Sequence, residues 1–346
     1  MKNIDANYKC ILFYCLGSEY YKNTNKKKFL EAIDRADPKE LLNIFERYHI
    51  VGLLYDELLK YQANHSFVKL AEPLIEYQKL FNNILLKELS FLSTKLGDSK
   101  IHPVILKGPA YWQTLYKNDY CRRVHDLDIM ISNLDEIQNF STLLIEAGFR
   151  NVDNNYYSQI YDNNHYELPT FFKFIELQMT RDSLRKLETA EKISSDPLKF
   201  ELNENNKVLL RIDIELHKSM FRYENGSFPI LKDDFFSDYE IVPKFKIMKS
   251  YASLPYLSSK FIIDTILFSE GDPVKVKCMK LVADFIKILE KASNSEIIKS
   301  IQLAELWGSL KNYRIMLNSV KYLMPEIEFQ NLKGIEEFNP LETIIG

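Results

Sequence analysis

The sequence predicts an α+β chain, helical at both ends with a mixed helix and strand segment between them. Three observations carry this. The first hundred residues place apolar side chains at helical spacing. Near residue 104 the period changes from 3.6 to 2, and two alternating strands follow. Beyond residue 221 the spacing returns to helical. The expected boundaries are 1–98 for an N-terminal helical region, 99–220 for an α/β core and 221–346 for a C-terminal helical region.

The N-terminal elements come first. The apolar run 10–16 behind Lys9 lacks a small-residue cleavage site and has Asp5 where a leader would be basic, so it is read as a first core helix. Asp37-Pro38-Lys39-Glu40 is a helix start: Asp37 can cap, Pro38 suits the first turn, and Glu40 can complete a capping box. Leu41, Leu42, Ile44, Phe45 and Tyr48 follow at helical spacing, and a further helix is expected over 51–61. Pro73 is expected to open a long amphipathic helix that ends at Gly97, a C-cap.

In the middle segment, Val104-Ile105-Leu106 reads as a short buried strand running into Lys107-Gly108-Pro109 and a helix over 110–116. A strand is expected over 126–131, a helix from Asn133 to Gly148, a strand near 149–152, strand-like aromatic sequence over 154–179, and a charged helix over 182–195. Residues 208–217, V-L-L-R-I-D-I-E-L-H, alternate over almost their full length and form the clearest strand. The C-terminal helices are expected around 253–269, 273–291 and 295–323.

Composition sets limits on function. Hydrophobic residues at 46% and charged residues at 27% exclude a disordered or filamentous chain. With 45 basic and 48 acidic residues, net −3, no overall positive field exists to hold duplex nucleic acid. Only 10 glycines are present, and neither glycine-rich phosphate loop occurs, G-x-x-x-x-G-K-[ST] or G-x-G-x-x-G. The four cysteines are scattered without zinc spacing, and no run of 18 apolar residues occurs, so a cytoplasmic, non-membrane protein is expected.

The chemistry lies in the acids. Asp126-Leu127-Asp128 puts two carboxylates on one strand face, their Cα atoms roughly 6.5–7 Å apart. The strand 208–217 puts Arg211, Asp213, Glu215 and His217 on one face and Leu210, Ile212, Ile214 and Leu216 on the other. If the two strands are neighbours, the acids converge and repel unless a cation sits among them, which suits a two-metal site for phosphoryl transfer. The plain alternative is an amphipathic sheet with one wet face. Lys107-Gly108, between a strand and a helix, is suited to meet phosphate, and otherwise is an ordinary corner. His125 and His217 flank the acids and could orient a carboxylate or bind phosphate. The lysines of 273–291 and the aromatics between Tyr156 and Phe174 read as a solvated face and as core packing.

L-K-G-P-A-Y (106–111), L-Y (115–116) and R-R-V-H-D-L-D-I-M-I (122–131) resemble the uncharacterised nucleotidyltransferase family found beside peptide-modification genes in bacteria, within the DNA polymerase beta-like superfamily. Glu215-Leu216-His217 resembles that family's acid-x-histidine strand, 165–169 its histidine-proline segment and 41–55 its helical start, so the likeness spans roughly residues 35–290. The resemblance implies a small mixed sheet flanked by helices. It implies metal on Asp126, Asp128 and Glu215, with Asp213 as the other candidate third acid, and nucleotide contacts from Lys107, Gly108 and Arg122; His217, beside the acids, is taken as a further nucleotide contact. Pro109, with no N–H, departs from the superfamily's glycine-serine turn.

The function expected from these residues is transfer of a nucleoside monophosphate from a nucleoside triphosphate such as ATP to a hydroxyl acceptor, with Mg²⁺ or Mn²⁺ and release of pyrophosphate. Its partners are then the triphosphate and an acceptor of unknown identity, without membrane or duplex nucleic acid. The other reading is a catalytically degenerate fold that binds a peptide or protein.

Overall fold

A computed structural model describes residues 4–63, 65–131, 133–152, 167–203, 207–217, 232–266 and 279–325. The chain divides into two compact units, Met1–Glu72 with Ser250–Gly346, and Pro73–Lys249.

The first unit is helical. It holds α1 (Ala6–Leu16), α2 (Glu19–Arg35), α3 (Pro38–Arg47), α4 (Val51–Lys60), the start of α5 (Ser66–Leu96), and then α9 (Ser250–Ile266), α10 (Met279–Lys291), α11 (Asn294–Leu306) and α12 (Leu310–Val320). Asp37 caps α3 as its position demands, Oδ1 accepting from Lys39 N at 3.0 Å and Glu40 N at 2.8 Å. Ser293 and Glu296 form a reciprocal capping box at α11. Tyr14 of α1 stacks on Phe29 of α2 at 4.0 Å. Beside them Lys22 Nζ meets Glu57 Oε1 at 2.5 Å, both side chains under a tenth exposed. Burial works against the lysine's charge, but Glu57 outweighs it and holds its pKa above the usual value.

The second unit holds the rest of α5 and one eight-stranded mixed sheet. Its strands are β1 (Val104–Ile105), β2 (Leu127–Met130), β3 (Arg150–Asn151), β4 (Glu167–Gln178), β5 (Phe200–Asn203), β6 (Lys207–His217), β7 (Phe236–Asp238) and β8 (Lys246–Met248), ordered β3-β4-β6-β2-β1-β8-β7. Its helices are α6 (Pro109–Leu115), α7 (Leu134–Glu146) and α8 (Arg181–Ile193). β4 runs antiparallel along one side of β6. The other side is shared: β5 pairs antiparallel with the first half of β6, and β2 parallel with residues 214–217. Val208, Leu210, Ile212, Ile214 and Leu216 are fully buried, so the apolar row of β6 is core and the odd-numbered row faces the other way. The α+β reading therefore holds.

Two element expectations are corrected. The long helix starts at Ser66, not at Pro73, which lies inside it. Proline removes one intrahelical donor but fits helical φ, and Phe67, Ala71, Leu74 and Ile75, all buried, carry one apolar stripe across it. Pro73 is also where the chain passes from one compact unit to the other. The return to helices after residue 221 is interrupted, because 236–238 and 246–248 form a hairpin that joins the sheet through a parallel pairing of β8 with β1. The aromatic segment is a strand from Glu167 onward, with a bulge between Glu167 and Thr170 where Pro169 lacks an N–H. Residues 153–166 and 267–278, which include part of that segment and the lysines 275 and 277, lie outside the described residues. Among the described residues no helix is long and apolar enough to cross a membrane.

Candidate active site

The parallel pairing of β2 with β6 decides which acids meet. Its register sets Asp128 directly beside Glu215, and Met130 beside His217. Neighbouring residues in a sheet share a face, so both carboxylates point to the side away from the buried leucine and isoleucine row. Carboxylate oxygens of Asp128 and Glu215 and a ring nitrogen of His217 lie within 4.8 Å of one another.

Asp128 is almost fully buried and sits between two cationic or donor groups. Lys107 Nζ lies 3.1 Å from its Oδ2, and His217 Nε2 lies 3.0 Å from its Oδ1. Burial alone would raise its pKa, but Lys107 and then His217 outweigh this and hold the carboxyl well below the usual range. Lys107 answers in kind: burial disfavours its charge, and Asp128, Asp126 and Glu215 together hold its pKa above the ordinary lysine value. Glu215 is the strained member. Burial, then Asp126, then Asp128 push its pKa up to about 7, against the pull of Lys107 and His217. Asp126, half-buried at the mouth of β2, therefore acts on both Lys107 and Glu215.

Of the two candidate third acids, Glu215 is grouped with Asp128, and Asp213 is turned to other partners. Asp213 accepts from Arg211 Nε at 2.7 Å and is ion-paired with Lys199 Nζ. Lys199, just before β5, had no signal in the sequence, because β5 itself is too short and polar to alternate.

Gly108 has φ +63° and ψ −110°, a backbone that side chains rarely adopt, and a Cβ built there would lie 3.3 Å from Val124 Cγ1. The turn is fixed from the far side by Tyr239, whose hydroxyl donates to the Pro109 carbonyl at 2.9 Å. The loop from Arg122 to Asp126 thus packs on the turn that carries Lys107. Arg122 is 2% exposed, with Nη1 donating to the Arg123 carbonyl at 2.9 Å, so it lies inside this loop.

A family model described as an uncharacterised nucleotidyltransferase matches residues 34–256. The chain belongs to that family. No curated protein and no solved structure matches it. The match spans the Lys107–Gly108 turn, β2 and β6, and it extends past 220 to take in the β7–β8 hairpin. A nucleotidyltransferase role in general terms follows, with a nucleoside triphosphate as the substrate that such enzymes share.

Proposed function

We propose that the chain is a divalent-metal-dependent nucleotidyltransferase that moves a nucleoside monophosphate from a triphosphate to an acceptor hydroxyl. The observation that carries this is the register that sets Asp128 beside Glu215, with Asp126 close enough to raise the Glu215 pKa. Three acids near one point repel, and a hard cation with oxygen ligands relieves that repulsion. Asp128 and Glu215 lie close enough to share one ion and would hold Mg²⁺ or Mn²⁺, with Asp126 as the third acid at the mouth of β2, and His217 orients Asp128 through its Nε2 contact. When bound, the metal supplies positive charge to the phosphate oxygens during transfer.

The chain's own residues then do three things. Lys107, on the β1 side of the acids, neutralises charge on the triphosphate, next to the open backbone at Gly108. Glu215, on the acceptor side of the acids, helps take the proton of the acceptor hydroxyl. The hydroxyl oxygen attacks the α-phosphorus, the α–β phosphoanhydride bond breaks, and pyrophosphate leaves with its electron pair.

Thermal unfolding with ATP, GTP, CTP and UTP, each with and without Mg²⁺ or Mn²⁺, tests the reading. The expected result is a rise that needs both metal and nucleotide, on the order of 2.7 kcal/mol of stabilisation at a hundredfold excess over Kd. No metal-dependent rise with any of the four sinks it and favours a degenerate fold that binds a peptide or protein. Incubation with labelled nucleotide and cell extract then identifies what becomes labelled.

A further inference from the structure

The odd-numbered face of β6 carries a second group of charged residues beyond the acids. Asp213 is nearly buried and has two cations where one would balance it: Arg211 through Nε, and Lys199 through Nζ. The Arg211 guanidinium lies over the Phe172 ring, 5.0 Å from its centroid, and Phe172 meets Phe174 edge-on at 5.8 Å. Sheet register puts all five on one face. Phe172 is opposite Asp213, Phe174 is opposite Arg211, and Arg211 N donates to the Lys199 carbonyl at 2.9 Å.

The arrangement is built and still open. Arg211 is held by its Nε bond to Asp213 and by the Phe172 ring beneath its guanidinium, and its side chain is 41% exposed. Among the described residues both of its Nη nitrogens lack a partner. Lys199 has one acid to serve three N–H bonds, and Phe174 is 38% exposed beside them. One step further from the acids, Glu176 is neutralised by Lys207 at 2.7 Å, and Glu201 is exposed to water. A forked guanidinium held against an aromatic ring, with an ammonium alongside, matches the geometry of an anionic oxygen group.

We propose that Arg211 and Lys199, preset by Asp213 and Phe172, form an anion subsite for a phosphate or carboxylate carried by the acceptor. This rests on the nucleotidyltransferase reading above. The nucleotide's own phosphates are the other source of such an anion, and the topology disfavours them. Lys107 and Gly108 follow β1, on the far side of β2 from β6, whereas Phe172 lies in β4 across β6 from β2, and Lys199 stands just before β5, which pairs with the start of β6 rather than with its acid-bearing end. The acids stand between the two. Four residue steps separate Arg211 from Glu215, about 13 Å along the strand. The acceptor is therefore a hydroxyl compound whose anionic group sits on the order of 10 Å from the reacting oxygen, once the reach of both side chains is allowed for.

Titration of the full chain with inorganic phosphate, by calorimetry or ³¹P line broadening, tests the subsite without metal or nucleotide. Phosphate binding that weakens at least tenfold in both Arg211→Gln and Lys199→Gln is expected, with each variant's fold checked by its thermal midpoint. Absent binding in the parent, or equal binding in either folded variant, overturns the subsite. A separate titration of ATP with Mn²⁺ on the same proteins identifies the source. Phosphate that binds alongside ATP supports the acceptor assignment. Phosphate displaced by ATP, together with weaker ATP binding in Arg211→Gln, gives the subsite to the triphosphate and overturns it. Phosphate binding without any metal-dependent nucleotide response overturns the transferase reading and, with it, the acceptor role.

Discussion

Asp128→Asn tests how the acid cluster is held together without metal. Carboxylate repulsion alone predicts that removing one charge stabilises the apo protein. The structure predicts the reverse. Asp128 is ion-paired with Lys107 at 3.1 Å, with side chains 4% and 18% exposed. Removing one partner of a buried pair costs about 3–5 kcal/mol, because the other charge is left stranded. Two effects reduce that figure. Lys107 keeps Asp126 and Glu215 as neighbours, and Glu215 loses one of the charges that push its pKa to about 7. Each pKa unit recovered is worth about 1.4 kcal/mol. An asparagine oxygen can still accept from His217 Nε2, so that contact survives. The net expectation is a loss of about 2 kcal/mol, or a fall of roughly 4–8 °C in the midpoint for a unit of this size. Thermal unfolding in EDTA measures it. A midpoint equal to or above the parent's shows that repulsion, not the ion pair, dominates the apo site. With Mn²⁺ and nucleotide the parent's midpoint should rise and the variant's should not.

Other expectations follow from the same geometry. Glu215→Gln should lower transfer at least ~10²-fold, since charge stabilisation at such a site supplies several kcal/mol, and Asp213→Asn should cost less; the reverse order, measured against one labelled acceptor, moves the third ligand to Asp213. Gly108→Val should cost about 1–3 kcal/mol, because its φ of +63° strains any side chain and Val124 blocks the space, and should weaken nucleotide binding in the same protein. Equal affinity for all four triphosphates would show that the turn is only a corner. In the helical unit, Lys22→Met leaves Glu57 with only the half-exposed Lys60, 3.8 Å from its Oε2, and should cost up to about 3 kcal/mol, and Lys22→Met with Glu57→Leu should recover most of it; urea unfolding of single and double variants decides this, and a double variant no better than the single refutes it.

The sequence exposes the site through β6, where alternation over 208–217 sorts apolar from charged residues before any partner is known. The D-x-D pair on β2 is legible for the same reason. What alternation cannot supply is register. Asp213 and Glu215 stand on one face at equivalent spacing, and only the parallel pairing of Asp128 with Glu215 separates them. Lys199 and the β7–β8 hairpin had no readable signal, because strands of three or four residues with polar ends lack enough period to stand out. Pro73 misled for the opposite reason. It is a strong local mark, and the apolar stripe from Phe67 to Ile75 overrides it.

The pairing of β8 with β1 bears on how the protein must be synthesised. β1 lies between β2 and β8, and both of its residues are buried. While the chain emerges from the ribosome, Val104 and Ile105 can meet β2 early, but their other edge waits for residues 246–248. Until then a growing chain holds an apolar strand with unpaired backbone groups on one side, directly before the turn that carries Lys107. A fragment stopped at residue 220 contains every acid of the site and lacks the strand that covers this edge. Such a fragment should associate through it, so a usable truncation of the core must run past Met248.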